Sequence, residues 1–142
     1  MTYATKQNLI DRFGETELAR LTDKAAATTI DDTVIERALT DADAKIDGYV
    51  SARYAAPLAP VPPLVNQIAT AIARYYLWED GAPEHVRKGF EDALSDLKRI
   101  ADGTVVLPGA AAAAAGASAP GSAPSFERDC PVFDARGLSG FA

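Results

Sequence analysis

The chain is poor in the residues that usually carry chemistry. It has one cysteine, Cys130, and one histidine, His85, in 142 residues. A single cysteine excludes an internal disulfide. A Cys–His nucleophile would need these two residues side by side, yet a low-complexity stretch separates them and gives no fixed geometry. Basic charge is also scarce. Lys+Arg number 14 against 20 Asp+Glu, for a net charge of −6 and a pI near 4.7. That balance argues against gripping nucleic acid by its phosphates and against an anionic membrane surface. No apolar run approaches bilayer length. The N-terminus lacks a basic-then-apolar signal pattern. The expectation is a soluble, cytosolic protein. P-loop, Gly-rich dinucleotide turn and zinc spacing are all missing. The expectation is therefore no enzyme, no cofactor and no metal.

Two acidic clusters have the composition of candidate metal sites. A calcium loop starting at Asp23 would need oxygen ligands two and four residues later, a glycine at its sixth position and a closing Glu. The sequence offers Ala25, Ala27, Thr28 and Val34 at those places. The other cluster, Asp41, Asp43 and Asp47, lies within one helical stretch that has no His or Cys to join it. It reads as part of a solvated acidic face.

What the chain does have is a proline-rich stretch that divides two long helical patterns. Ser51 to Leu64 includes Pro57, Pro60, Pro62 and Pro63. Each proline fixes φ and removes an N–H, and each restricts the residue before it. An extended, polyproline-like crossover is expected, with Pro62 or Pro63 starting the next helix. Leu58, Val61 and Leu64 imply that it packs on something. A stiff interhelical loop and a proline-rich ligand for a partner are both compatible with the composition.

Helical periodicity covers most of residues 5–103. Thr5 caps a short helix carrying Leu9, Ile10 and Phe13, stopped by Gly14. Glu15 to Leu21 forms a second, followed by a small-residue loop from Asp23 to Thr29. Asp31 or Asp32 caps a long helix to about Arg53, with Leu39 and Ile46 facing inward and Glu36, Asp41, Asp43 and Asp47 on an acidic face. Pro63 to Trp78 is the most apolar helix and should be central. Its end crowds Tyr75, Tyr76, Leu77 and Trp78 together. Pro83 starts the last helix, which carries Phe90 and Leu94 and stops at Gly103. His85 is expected at the surface of its first turn. Thr104 to Leu107 is compatible with a short strand. The predicted fold is all-α: a compact domain of about five helices over residues 1–103, with an extended low-complexity C-terminal arm.

Residues 104–125 read as an Ala/Gly/Ser/Pro linker with too little apolar bulk for a core. Residues 126–142 regain information in Phe126, Arg128, Phe133, Arg136, Leu138 and Phe141. They read either as a frayed terminus or as a docking peptide, since Phe and Arg anchor interfaces.

Taken in order, these residues resemble the Mu-like bacteriophage small neck proteins. The resemblance rests on Tyr3-Ala4-Thr5, Leu9-Ile10, Arg12-Phe13-Gly14, Glu17-Leu18 and Leu21-Thr22-Asp23. Its most specific run is Ile46-Asp47-Gly48-Tyr49, Arg53-Tyr54 and Pro57 to Leu64. Ile72-Ala73-Arg74-Tyr75 and the closing Phe133, Arg136, Leu138, Gly140 and Phe141 complete it. Some members of that family carry an Asp/Gly-rich loop where this chain has Asp23 to Thr29.

The resemblance implies a structural head–tail connector in the neck of a phage or phage-like particle, made in the bacterial host cytoplasm. Such adaptors form a ring, typically a dodecamer, between the portal protein and a stopper or tail-terminator protein. DNA passes through the ring without being tightly bound. On this reading Tyr75, Tyr76, Trp78, Pro57, Leu58, Phe126, Arg128, Phe133, Arg136, Leu138 and Phe141 are expected to bind partners, and Glu36, Asp41, Asp43 and Asp47 to line the channel. The alternative is a cytosolic helical interaction module that uses its C-terminal tail as a peptide ligand.

Overall fold

Local signals fix where each helix begins and ends. In the computed structural model, which describes residues 2–79 and 81–113, five helices follow one another: α1 (Lys6–Phe13), α2 (Glu15–Thr22), α3 (Asp32–Val50), α4 (Pro63–Leu77) and α5 (Glu84–Asp102). Thr5 caps α1 reciprocally. Its hydroxyl accepts from the Asn8 N–H, and the Asn8 side chain accepts from the Thr5 N–H at 2.9 Å. Gly14, at φ +86°, ends α1 and starts α2 without a Cβ penalty. The Asp31 carboxylate accepts the Thr33 N–H at 2.9 Å and starts α3. Pro63 occupies the first turn of α4, where a missing N–H costs nothing.

Helices α3, α4 and α5 form the body, with α4 packed on both of the others. Val65, Ile68, Ala69, Ile72, Ala73 and Leu77 on α4 are all buried. Each large side chain among them contributes about 1.5–3 kcal/mol by leaving water. Leu39 and Ile46 from α3 join them, while Phe90 and Leu94 from α5 pack partly buried on the same core. The short α1 and α2 cover one end. Arg74 of α4 holds them there: it donates to Glu17 at 2.7 Å and lies over the Phe13 ring at 4.3 Å.

The predicted helices are therefore all present, with α3 ending at Val50, three residues before the sequence pattern fades. The crossover differs from expectation. It bends at residues 56–57 and 59–60, with cis peptides before Pro57 and Pro60, and is not continuously extended. The segment after α5 differs as well. Gly103 caps α5 in the left-handed conformation, and the chain then returns along the end of α3. Leu107 is 2% exposed and donates its N–H to the Tyr54 hydroxyl. Ala55 donates to the Ala111 carbonyl at 3.0 Å, and Ala113 donates to the Arg53 carbonyl at 2.9 Å. Residues 104–113 thus lie against the helical domain, whereas composition alone starts a linker at 104. The only pairing of β type among the described residues is the single bridge between Tyr54 and Ala112, so Thr104 to Leu107 is not a strand.

Candidate functional site

The C-terminal end of α4 gathers aromatic side chains against α5. Tyr75 stacks on Phe90 with centroids 4.1 Å apart and planes 11° from parallel. Tyr76 tilts against the same ring at 6.0 Å. Both tyrosines are half-buried, so Phe90 covers part of the surface that the sequence left for a partner. Burial raises the Tyr76 hydroxyl pKa, helped by the nearby Asp41 carboxylate. Trp78 points to a different neighbourhood. It lines a cleft of about 420 Å³ with Phe13, Arg20, Leu21, Pro83 and His85. Its indole N–H is buried and has no acceptor among the described residues. His85 is exposed, as expected for the first turn of α5.

The crossover contributes less surface than predicted. Pro57 is exposed, but Leu58 is 1% exposed and belongs to the core. Leu58 is the apolar bulk that lets a proline-rich segment lie on the helices. It is not available to a partner in this fold.

The four acidic residues assigned to one channel-lining face do not share it. At 100° per residue, Glu36, Asp43 and Asp47 project from one side of α3 and Asp41 from another. Tyr3 then covers two of them. Its backbone N–H donates to Asp43 at 3.0 Å, and its hydroxyl donates to Asp47. The same hydroxyl accepts the Leu58 N–H at 3.0 Å, and the Tyr3 carbonyl accepts from Asn66 at 2.9 Å. One buried tyrosine therefore ties the N-terminus to α3, the crossover and α4. Asp43 is 8% exposed. Its carboxyl pKa is raised by burial, against the lowering effect of the Tyr3 N–H. Burial and the Asp47 bond push the Tyr3 phenol up to about 12. Asp43 and Asp47 are thus structural partners of Tyr3. Glu36 and Asp41 remain exposed.

From the sequence, Phe90 has only a place on the apolar face of the last helix, Tyr3 only a place in the family resemblance, and Arg20 and the cleft no role. A tyrosine three residues from the start carries no periodic signal, and a cleft between three helices is a tertiary feature. Val106, 70% exposed, is the large apolar side chain most open to solvent among the described residues. Phe126, Arg128, Cys130, Phe133, Arg136, Leu138 and Phe141 lie outside the described residues. Asp23 accepts the Ala25 and Ala26 N–H groups and so closes its own exposed turn. Those bonds, Ala26 first, hold its carboxyl below the usual range. Among the described residues no cluster of three or more His, Cys, Asp or Glu side chains gathers as a metal site. No helix among them is long and apolar enough to cross a membrane.

The family described as "Bacteriophage Mu, Gp36" matches residues 3–124. The Mu-like prophage FluMu protein gp36 of Haemophilus influenzae is 32% identical over 105 residues, which is 74% of each chain. Gene product J of Escherichia phage Mu is 39% identical over 104 residues, covering 72% of this chain and 74% of its own.

Proposed function

The chain belongs to the bacteriophage Mu Gp36 family, and from that premise we propose that it is a structural head–tail connector, not an enzyme. Family membership carries this reading. In it, copies of the chain form a ring, a dodecamer, between the portal protein and a stopper or tail-terminator ring in the neck of the virion. DNA passes through the ring and is not tightly bound.

Physical features support the reading. A packed body of α3, α4 and α5 suits a building block that must repeat. Tyr75, Tyr76 and Trp78 keep part of their aromatic surface uncovered, and partly covered aromatics are typical interface anchors. Exposed Glu36 and Asp41 would repel phosphate if the ring turns them inward, giving passage without grip. The C-terminal residues Phe126, Arg128, Phe133, Arg136, Leu138 and Phe141 act as a tethered docking peptide for the portal.

Size-exclusion chromatography of the full chain with the portal protein tests the reading. Co-elution is expected, and Trp78→Glu should stay folded yet fail to co-elute. Separate elution of the wild-type chain at micromolar concentrations would count against a portal-bound adaptor.

A further inference from the structure

The cleft beside Trp78 has apolar walls, the paired Glu17 and Arg74 in its lining, and an exposed arginine at its rim. Phe13, Leu21, Trp78 and Pro83 supply the walls. Arg20 and His85 are exposed at the rim, and Arg20 makes no ion pair among the described residues. Past Arg20 and Leu21 the cleft runs into a second depression beside Lys24 and Glu79. The buried Trp78 N–H, without an acceptor among the described residues, is a separate signal, because native structures rarely leave such donors unpaired. An occupant should therefore offer an aromatic side chain with an acid next to it.

The chain itself contains that chemistry. Phe126-Glu127 and Phe133-Asp134 each place an acid directly after a phenylalanine. The geometry allows them to reach. Ala113 is bonded to Arg53, whose guanidinium lies against Gly103 at the C-terminal end of α5. Pro83 and His85 place the cleft at the other end of α5. The rise from residue 85 to 103 is about 27 Å. Residues 114–125 span up to about 40 Å when extended. A tether of that length supplies an effective concentration on the order of millimolar, so the same copy is favoured over a second copy in dilute solution.

We propose that this cleft is the seat of the chain's own segment 126–136, folded back on the same copy before assembly. Occupancy covers the adhesive phenylalanines and Trp78 together, and a stronger partner releases both surfaces at once. The inference concerns the free chain and stands whether or not the connector reading holds.

The full-length protein carries its own probes, since Trp78 is its only tryptophan and Cys130 its only cysteine. A bimane fluorophore on Cys130 is quenched when it contacts tryptophan. The wild-type chain should show quenched emission that is unchanged on dilution. Emission should rise severalfold in Trp78→Phe. It should also rise in Phe133→Ala and Arg20→Glu, which leave the tryptophan in place, with the helical signal in circular dichroism retained. Equal emission from wild type and Trp78→Phe would overturn the proposal. Quenching that vanishes on dilution would assign the cleft to a second copy and overturn the same-chain seat.

Discussion

Replacing Tyr3 with phenylalanine removes one oxygen and no packing, so its effect isolates the hydroxyl. That oxygen serves two partners, donating to Asp47 and accepting the Leu58 N–H at 3.0 Å. Tyr3 is 2% exposed and Leu58 1%. In Tyr3→Phe the Leu58 N–H is left buried without an acceptor, at a cost of about 1–3 kcal/mol. Asp47 loses a charge-assisted bond of about 1.5–3 kcal/mol, but it is half-buried and water replaces part of that. The expected total is about 2–3 kcal/mol. With a urea slope of about 1.5 kcal/mol/M, the midpoint should fall by roughly 1.3–2 M at unchanged slope. Alkaline pH gives a second readout. The Tyr3 phenol titrates near 10 when unfolded and is pushed up to about 12 in the fold. A raised pKa contributes stability that is present below pH 10 and lost as pH rises through 12. The gap between wild type and Tyr3→Phe should therefore narrow across that window. A midpoint shift under about 0.3 M at neutral pH would show that the Tyr3 hydroxyl does not join the N-terminus to the crossover.

Ile72 is fully buried at the centre of α4, and Ile72→Ala should cost about 2–5 kcal/mol in chemical denaturation; a loss under about half a kcal/mol would place it outside the core. Asp43→Asn keeps an oxygen for the Tyr3 N–H and removes a charge whose burial raises its pKa. The variant should match or exceed wild-type stability at pH 7. That advantage should shrink as pH falls through the raised Asp43 pKa and the wild-type carboxyl becomes neutral. A variant much less stable at pH 7 and unaffected by acid would show that the Asp43 charge itself holds the N-terminus.

Helix positions were legible because their signals are local. Thr5, Gly14, Asp31, Pro63 and Gly103 all mark helix ends as the sequence reading places them. The burial of Leu39 and Ile46 was equally legible, because a 3.6-residue period needs no knowledge of partners. Tertiary choices were not. Composition assigned Thr104 to Ala113 to a linker, but Leu107 finds a core position and the small alanines lie close enough to hydrogen-bond with Arg53 and Ala55. Charge patterning grouped Asp43 and Asp47 with solvent-facing acids, whereas Tyr3 arrives from 40 or more residues away to cover them. Leu58 is read from the sequence both as packing on something and as binding a partner, and in the fold its 1% exposure leaves only the first role. The aromatic end of α4 was found from sequence. Its partial closure by Phe90 was not, since stacking depends on where α5 crosses.

On the proposed reading, this chain works as a repeated unit at a phage neck. Electron microscopy of the full chain assembled with its portal protein measures that directly. The claim predicts a closed ring seated on the portal, with rotational symmetry matching it, Tyr75, Tyr76 and Trp78 within protein interfaces, and an open channel. A portal that carries no extra ring, beside copies of the chain that stay monomeric, would contradict it.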